Sequence, residues 1–209
     1  MTKKQLALKS VEALKEAYPE AICSLEYSDP LQLLIATRLS AQCTDARVNL
    51  VTPELFGKYK TLDDLAAAEV TDVEKIIRSC GFYHDKARDI VGIAQKIKSD
   101  FDGKVPSSIE ALTSLPGVGR KTANLIMGDV FHAPSSVVCD THLIRITNRI
   151  GLVETKDPKK VEFELRKLLP PDESNDFCHR TVLHGRAVCT ARKAHCEECT
   201  LKEFCKKKI

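Results

Sequence analysis

The stretch Leu115–Asn124, LPGVGRKTAN, sets two glycines one residue apart and follows them at once with Arg120, Lys121 and Thr122. A short helix opened by Ser107 and Glu110 runs into Leu115 and Pro116, the turn Gly117-Val118-Gly119 reverses the chain, and a second helix begins near Arg120. Glycine permits positive φ and leaves no side chain between the backbone and whatever approaches it. Amides at a helix N-terminus point outward with partial positive charge, which suits a phosphate group. A plain helix connection with a glycine cap uses the same residues. It leaves Lys121 unexplained, because a purely structural turn has no need of a cation there.

Helical spacing extends from this hairpin in both directions. Ala7, Val11, Leu14 and Tyr18 share one face before Pro19, and Asp29 with Pro30 reads as an N-cap followed by proline at the first helical position. Thr71 and Glu74 read as a capping box opening DVEKIIRSC, which Gly81 stops, and HDKARDIVGIAQKIKSDF runs on to Gly103. Beyond the hairpin, THLIRITNRI ends at Gly151, DPKKVEFELRKLL ends at Pro170 and Pro171, and a helix lies within NDFCHRTVLHGRAVC. The one β-like run, Ser135–Cys139, is too short to build a sheet. The expectation is an all-α protein of roughly nine or ten helices.

Composition narrows the function classes. Hydrophobic residues at 43% and charged residues at 29% are ordinary globular usage, which argues against wholesale disorder. A net charge of +3 permits an anionic partner without demanding one, so a nucleic-acid reading has to come from where the basic residues sit. The first residues form a mixed-charge amphipathic run without a signal-peptide core, and no later apolar run is long enough to span a bilayer. The chain therefore reads as cytosolic, with no membrane partner. Nine cysteines then call for something other than disulfides.

Five of them, Cys23, Cys43, Cys80, Cys139 and Cys178, are scattered and expected to be small buried hydrophobes. Cys189, Cys196, Cys199 and Cys205 crowd the end of the chain with six, two and five residues between them. Four thiolates accept either zinc or a [4Fe–4S] cluster, and the presence of only one close pair tilts the spacing toward iron and sulfur. Between the first two lie Arg192 and Lys193, with Arg186, Lys202 and Lys206, Lys207 and Lys208 nearby. A basic loop of fixed shape suits phosphate contacts, although a solvated charged surface has the same composition.

LPGVGRKTAN followed by VVCDTHLIRITNRIGL resembles the helix-hairpin-helix DNA glycosylases, and the spacing of the terminal cysteines is similar to that of endonuclease III. LLIATRLSAQCTD and GFYHDKARDI extend the resemblance over nearly the whole chain. It implies two helical domains. One spans residues 24–133 and ends in the helix-hairpin-helix at about 107–131; the other joins 1–23 to 134–209 and carries a [4Fe–4S] cluster on residues 189–205. It also implies a monomeric bifunctional DNA glycosylase and abasic-site lyase, found with the nucleoid and acting on oxidised pyrimidines or abasic sites in double-stranded DNA.

The resemblance assigns the chemistry to Lys121 and to Asp140, nineteen residues on. A neutral lysine amine can attack C1′ of deoxyribose, expel the base and leave a Schiff base that permits β-elimination. Desolvation in a pocket and the charge of Arg120 favour the neutral amine, whereas a close carboxylate would favour the ammonium. Asp140 is thus cast as stabilising the cationic sugar or moving protons; locally it also reads as the N-cap of THLIR.

Reaching C1′ requires the nucleotide to leave the stack. By resemblance Gln42 fills the gap and Phe82 wedges beside it, where relatives often carry leucine; from local sequence the two read as a helix-end glutamine and a core phenylalanine. Two other readings use the same motifs. An adenine-type glycosylase relative lacks the lysine at this position and carries a further domain, and a non-catalytic DNA-binding or electron-transfer iron–sulfur module would use hairpin and cysteines without chemistry.

Overall fold

Asp29 illustrates how local sequence sets the helices. Its carboxylate accepts the Gln32 amide at 2.9 Å while Pro30 takes the first helical position, where no amide donor is needed. The computed structural model describes residues 1–207, so Lys208 of the basic tail lies outside the described residues. Among these there are eleven α-helices and no strand; the one β-bridge pairs Cys189 with Ala194. In order they are α1 (Lys3–Ala17), α2 (Pro30–Ser40), α3 (Asp45–Lys58), α4 (Leu62–Ala66), α5 (Val70–Ile77) and α6 (Tyr83–Asp100). Then follow α7 (Ile109–Thr113), α8 (Arg120–Asp129), α9 (Thr141–Ile150), α10 (Pro158–Leu168) and α11 (Ser174–Ala187). No helix among the described residues is long and apolar enough to cross a membrane.

The chain divides into two compact units, Ser24–Val130 and Met1–Cys23 with Phe131–Ile209. In the first, α6 packs against α4, α5 and α2 through Ala87, Ile90, Val91, Ile93, Ala94 and Ile97. Helix α2 supplies Leu33, Leu34, Ile35 and Leu39, all without solvent exposure, and each such burial contributes about 1.5–3 kcal/mol. In the second unit α11 packs against α9 and α1 around Phe177. Gly151 ends α9 at φ 95°, a left-handed cap.

Four local expectations are corrected. Helix α5 starts at Val70, with no side-chain cap from Glu69, and buries Val73 and Ile77; Thr71 and Glu74 lie inside it. The cap of α7 is Ser108, whose hydroxyl accepts the Ala111 amide at 3.1 Å, and not Ser107. Helices α3 and α4 raise the helix number above the expected nine or ten. Of the five scattered cysteines, Cys80, Cys139 and Cys178 are buried, but Cys23 and Cys43 are only half-buried.

Candidate active site

Leu115 and Val118 point their side chains inward and anchor the hairpin between α7 and α8, both being nearly fully buried. Gly117 has φ 65°, and a Cβ there would collide with the Asp89 carboxylate and the Arg38 guanidinium. Those two groups, from α6 and α2, form a part-buried ion pair with Nε and Nη2 of Arg38 each 2.6 Å from Oδ2 of Asp89. The first glycine of the turn is therefore fixed by the protein itself. Gly119 differs: its backbone is extended at φ −96° and no atom stands within 4 Å of a Cβ built on it. It caps α8 without a side-chain bond, leaving the first amides of that helix open to an anion.

Lys121 is the second residue of α8 and is exposed, so the desolvation expected around it is not present in the protein alone. Asp140 opens α9 in the other unit, where its Oδ1 accepts the Leu143 amide at 2.7 Å. The cap reading of Asp140 thus holds, and the side chain stays half-buried. One turn along α9, His142 and Arg145 stand together, Nη2 to Nδ1 at 3.1 Å. Burial pushes the His142 imidazole below its usual range, and Asp140 opposes that shift. Gly185 of α11 leaves room for this pair, since a Cβ there would lie 2.5 Å from His142 Nδ1.

The four terminal cysteines line one cavity of about 30 Å³ together with Arg149, Val188, Ala194, His195 and Lys207. Among the described residues no three Cys, His, Asp or Glu side chains converge on a single-ion site; the sulfurs surround a space. Two donors and a histidine ring nitrogen stand against them. Arg149 Nη1 lies 3.3 Å from Cys189 Sγ, the Lys207 amide 3.4 Å from Cys205 Sγ, and His184 Nε2 3.4 Å from Cys199 Sγ. Burial first, and then the neighbouring thiols, push Cys199 and Cys205 up. Four soft donors around a cavity, with N–H groups directed at sulfur, fit a thiolate-held metal group.

The loop after Cys189 is held by the rest of the unit. Arg145 donates to the Cys189 carbonyl at 3.0 Å, Arg149 donates to Thr190 O at 2.7 Å, and the Thr190 hydroxyl both donates to Lys193 O and accepts the Lys193 amide. This closes a tight loop that leaves Arg192 and Lys193 exposed at its tip. In the first unit Gln42 and Phe82 are both exposed, Phe82 at 63%, so Phe82 is not a core residue. Both hold left-handed backbone, with φ 54° and 46°.

Comparison with known proteins gives the family. A family model described as HhH-GPD superfamily base excision DNA repair protein matches residues 35–171. Endonuclease III of Synechocystis is 47% identical over 204 residues, which span 98% of this chain and 93% of that protein. The chain belongs to the endonuclease III family of base excision DNA repair proteins. Endonuclease III of Bacillus subtilis is 39% identical, over 96% of this chain and 94% of that one. A solved endonuclease III–DNA covalent intermediate matches the fold with a TM-score of 0.91 at 38% identity, covering 99% of this chain and 97% of that chain. As a member of this family the protein is a DNA glycosylase.

Sequence reasoning missed the Arg38–Asp89 pair beneath the hairpin, as well as His142, Arg145 and Arg149. The pair joins residues 51 positions apart, and no local signal connects them. The arginines of α9 had one legible sign, their i,i+4 spacing on a helix that also carries Asp140.

Proposed function

We propose that this endonuclease III relative removes oxidised or ring-saturated pyrimidines from duplex DNA, as a monomer, and then cleaves the abasic site. The observation that carries the reading is an exposed lysine amine on the first turn of α8, directly after a hairpin whose Gly119 leaves the helix amides open. Those amides take a phosphate and set the register of the strand. DNA seated there covers Lys121 and removes water from it.

The Lys121 nitrogen forms a bond to C1′ as the bond from C1′ to the base breaks, with the electron pair leaving on the base, which takes up a proton. Asp140 stabilises the positive charge that develops on the sugar. Opening of the sugar gives an imine to Lys121. Loss of a C2′ proton then expels the 3′ phosphate. Gln42 and Phe82 occupy the space vacated by the nucleotide, and Arg192 and Lys193 hold phosphates from the second unit.

Cys189, Cys196, Cys199 and Cys205 would hold a [4Fe–4S] cluster, with Arg149 and the Lys207 amide bonding to the sulfurs. Bound there, the cluster supplies four cross-links that keep the Arg192–Lys193 loop in shape. Incubation with a duplex carrying one oxidised pyrimidine tests the reading. Base release followed by strand cleavage on the 3′ side supports it. Base release without strand cleavage would remove the lyase step, and binding without either product would contradict the assignment of oxidised pyrimidines as substrates.

A further inference from the structure

Lys86, on α6, has no solvent exposure, and its Nζ donates to two main-chain carbonyls, Leu39 O and Cys80 O, each at 2.7 Å. A buried ammonium is costly, so its partners identify its task. Leu39 lies three residues before Gln42, and Cys80 two residues before Phe82. Both carbonyls sit where a helical segment is ending, at the last turn of α2 and at the end of the 3-10 turn Arg78–Cys80. Such carbonyls lack an intrahelical donor. One side chain therefore anchors the stems of two loops that are far apart in sequence.

The residues that those stems carry are strained. Within Ser24–Val130 the described residues with positive φ that are not glycine are Gln42, Phe82 and Asp102. Aspartate tolerates that region, whereas glutamine and phenylalanine are unusual there. Such backbone is unfavourable and persists only where the surroundings hold it. Burial first, and then the neighbouring Cys43 thiol, push the Cys80 thiol up to about 11, which sets the two loops close together beside the lysine.

We propose that Lys86 is a positioning residue that ties the Gln42 loop to the Phe82 loop, so that both side chains enter the DNA as one preset unit. This rests on the reading of Gln42 and Phe82 as the residues that enter the helix when a nucleotide is extruded. Extrusion of a paired, stacked base costs a few kcal/mol, and two loops moving independently would recover less of it on insertion. An abasic site has no base to unstack and makes no such demand.

The test compares single-turnover rates on a duplex holding a paired oxidised pyrimidine with rates on one holding an abasic site. The proteins are the unaltered chain, Lys86→Met, Lys86→Gln, Phe82→Ala and the Lys86→Met, Phe82→Ala double variant. Lys86→Met is expected to slow excision by roughly tenfold or more, a barrier change of about 1.4 kcal/mol, with abasic-site cleavage nearly unchanged. Lys86→Gln keeps two N–H donors on one amide and should recover part of the loss; it carries the comparison alone if the methionine variant does not fold. Phe82→Ala should cost less in the Lys86→Met background than in the unaltered chain.

Hydrogen exchange gives a readout independent of activity: Lys86→Met should speed exchange in residues 41–44 and 80–83 together. Equal loss on both substrates, additive effects, or loosening of one loop only would overturn the tie. If Phe82→Ala alone slows both substrates equally, the DNA-entering role fails and the tie falls with it. If Phe82→Ala is selective and Lys86→Met is not, only the tie fails.

Discussion

The Arg38 guanidinium and the Asp89 carboxylate meet at 2.6 Å directly beneath Gly117, in the space a β-carbon at that position would need. The two hairpin glycines are therefore glycine for different reasons. Gly117→Ala meets both a left-handed φ and the ion pair and is expected to destabilise the protein by at least about 1–2 kcal/mol. Gly119→Ala meets neither and should leave stability within about 0.5 kcal/mol while weakening DNA binding, because the new methyl stands before the open amides. Thermal melts beside binding isotherms check this. A Gly119→Ala protein with unchanged affinity would remove the phosphate from that helix end.

The cysteine cavity predicts bound iron and sulfide, with the broad visible absorption of a thiolate-held cluster. Cys199→Ala should abolish it. With the metal lost, the loop carrying Arg192 and Lys193 loses its cross-links, so binding to undamaged duplex should weaken as well. Elemental analysis reporting zinc in a colourless, fully active protein would contradict the assignment.

Lys193 is exposed at the tip of that loop, and its backbone is fixed by Thr190. If its ammonium meets a phosphate, Lys193→Ala should reduce the slope of log affinity against log salt by roughly one unit, with lesion preference unchanged. The same slope in both proteins would make Lys193 a solvated surface residue.

Hydrogen bonds from Lys15 first and Arg180 second hold the Glu173 carboxyl below its usual range. A folded-state pKa below the unfolded one adds stability above the unfolded value and loses it as pH falls through the folded value. Glu173→Gln should therefore lower Tm at neutral pH, by about 2–4 °C if 1 kcal/mol is lost. The difference should close in acid below the ordinary glutamate range. A gap that persists undiminished there would show that the loss comes from packing.

These features differ in how far the sequence revealed them. Asp29, Asp140 and Gly151 were legible as helix ends because a cap is decided within about four residues by one side chain and one amide. Helix α3 was not, since Pro53 and Gly57 argue against a helix locally while burial of Val48, Val51, Thr52 and Leu55 imposes one. The hairpin, the lysine and the cysteine spacing are contiguous motifs and could be read directly. Arg38–Asp89 and the grip of Lys86 on Leu39 and Cys80 are products of tertiary packing: in HDKARD, Lys86 and Asp89 look like ordinary surface charges.

In the proposed reaction the Lys121 amine is the electron-pair donor to C1′. Borohydride reduction during incubation with an abasic-site duplex tests it most directly, because it converts the imine into a stable amine link between protein and DNA. The unaltered protein should give a covalent complex whose linked peptide contains Lys121. Lys121→Gln should give none while still binding the duplex. A complex of undiminished yield from Lys121→Gln would mean that another amine is the nucleophile.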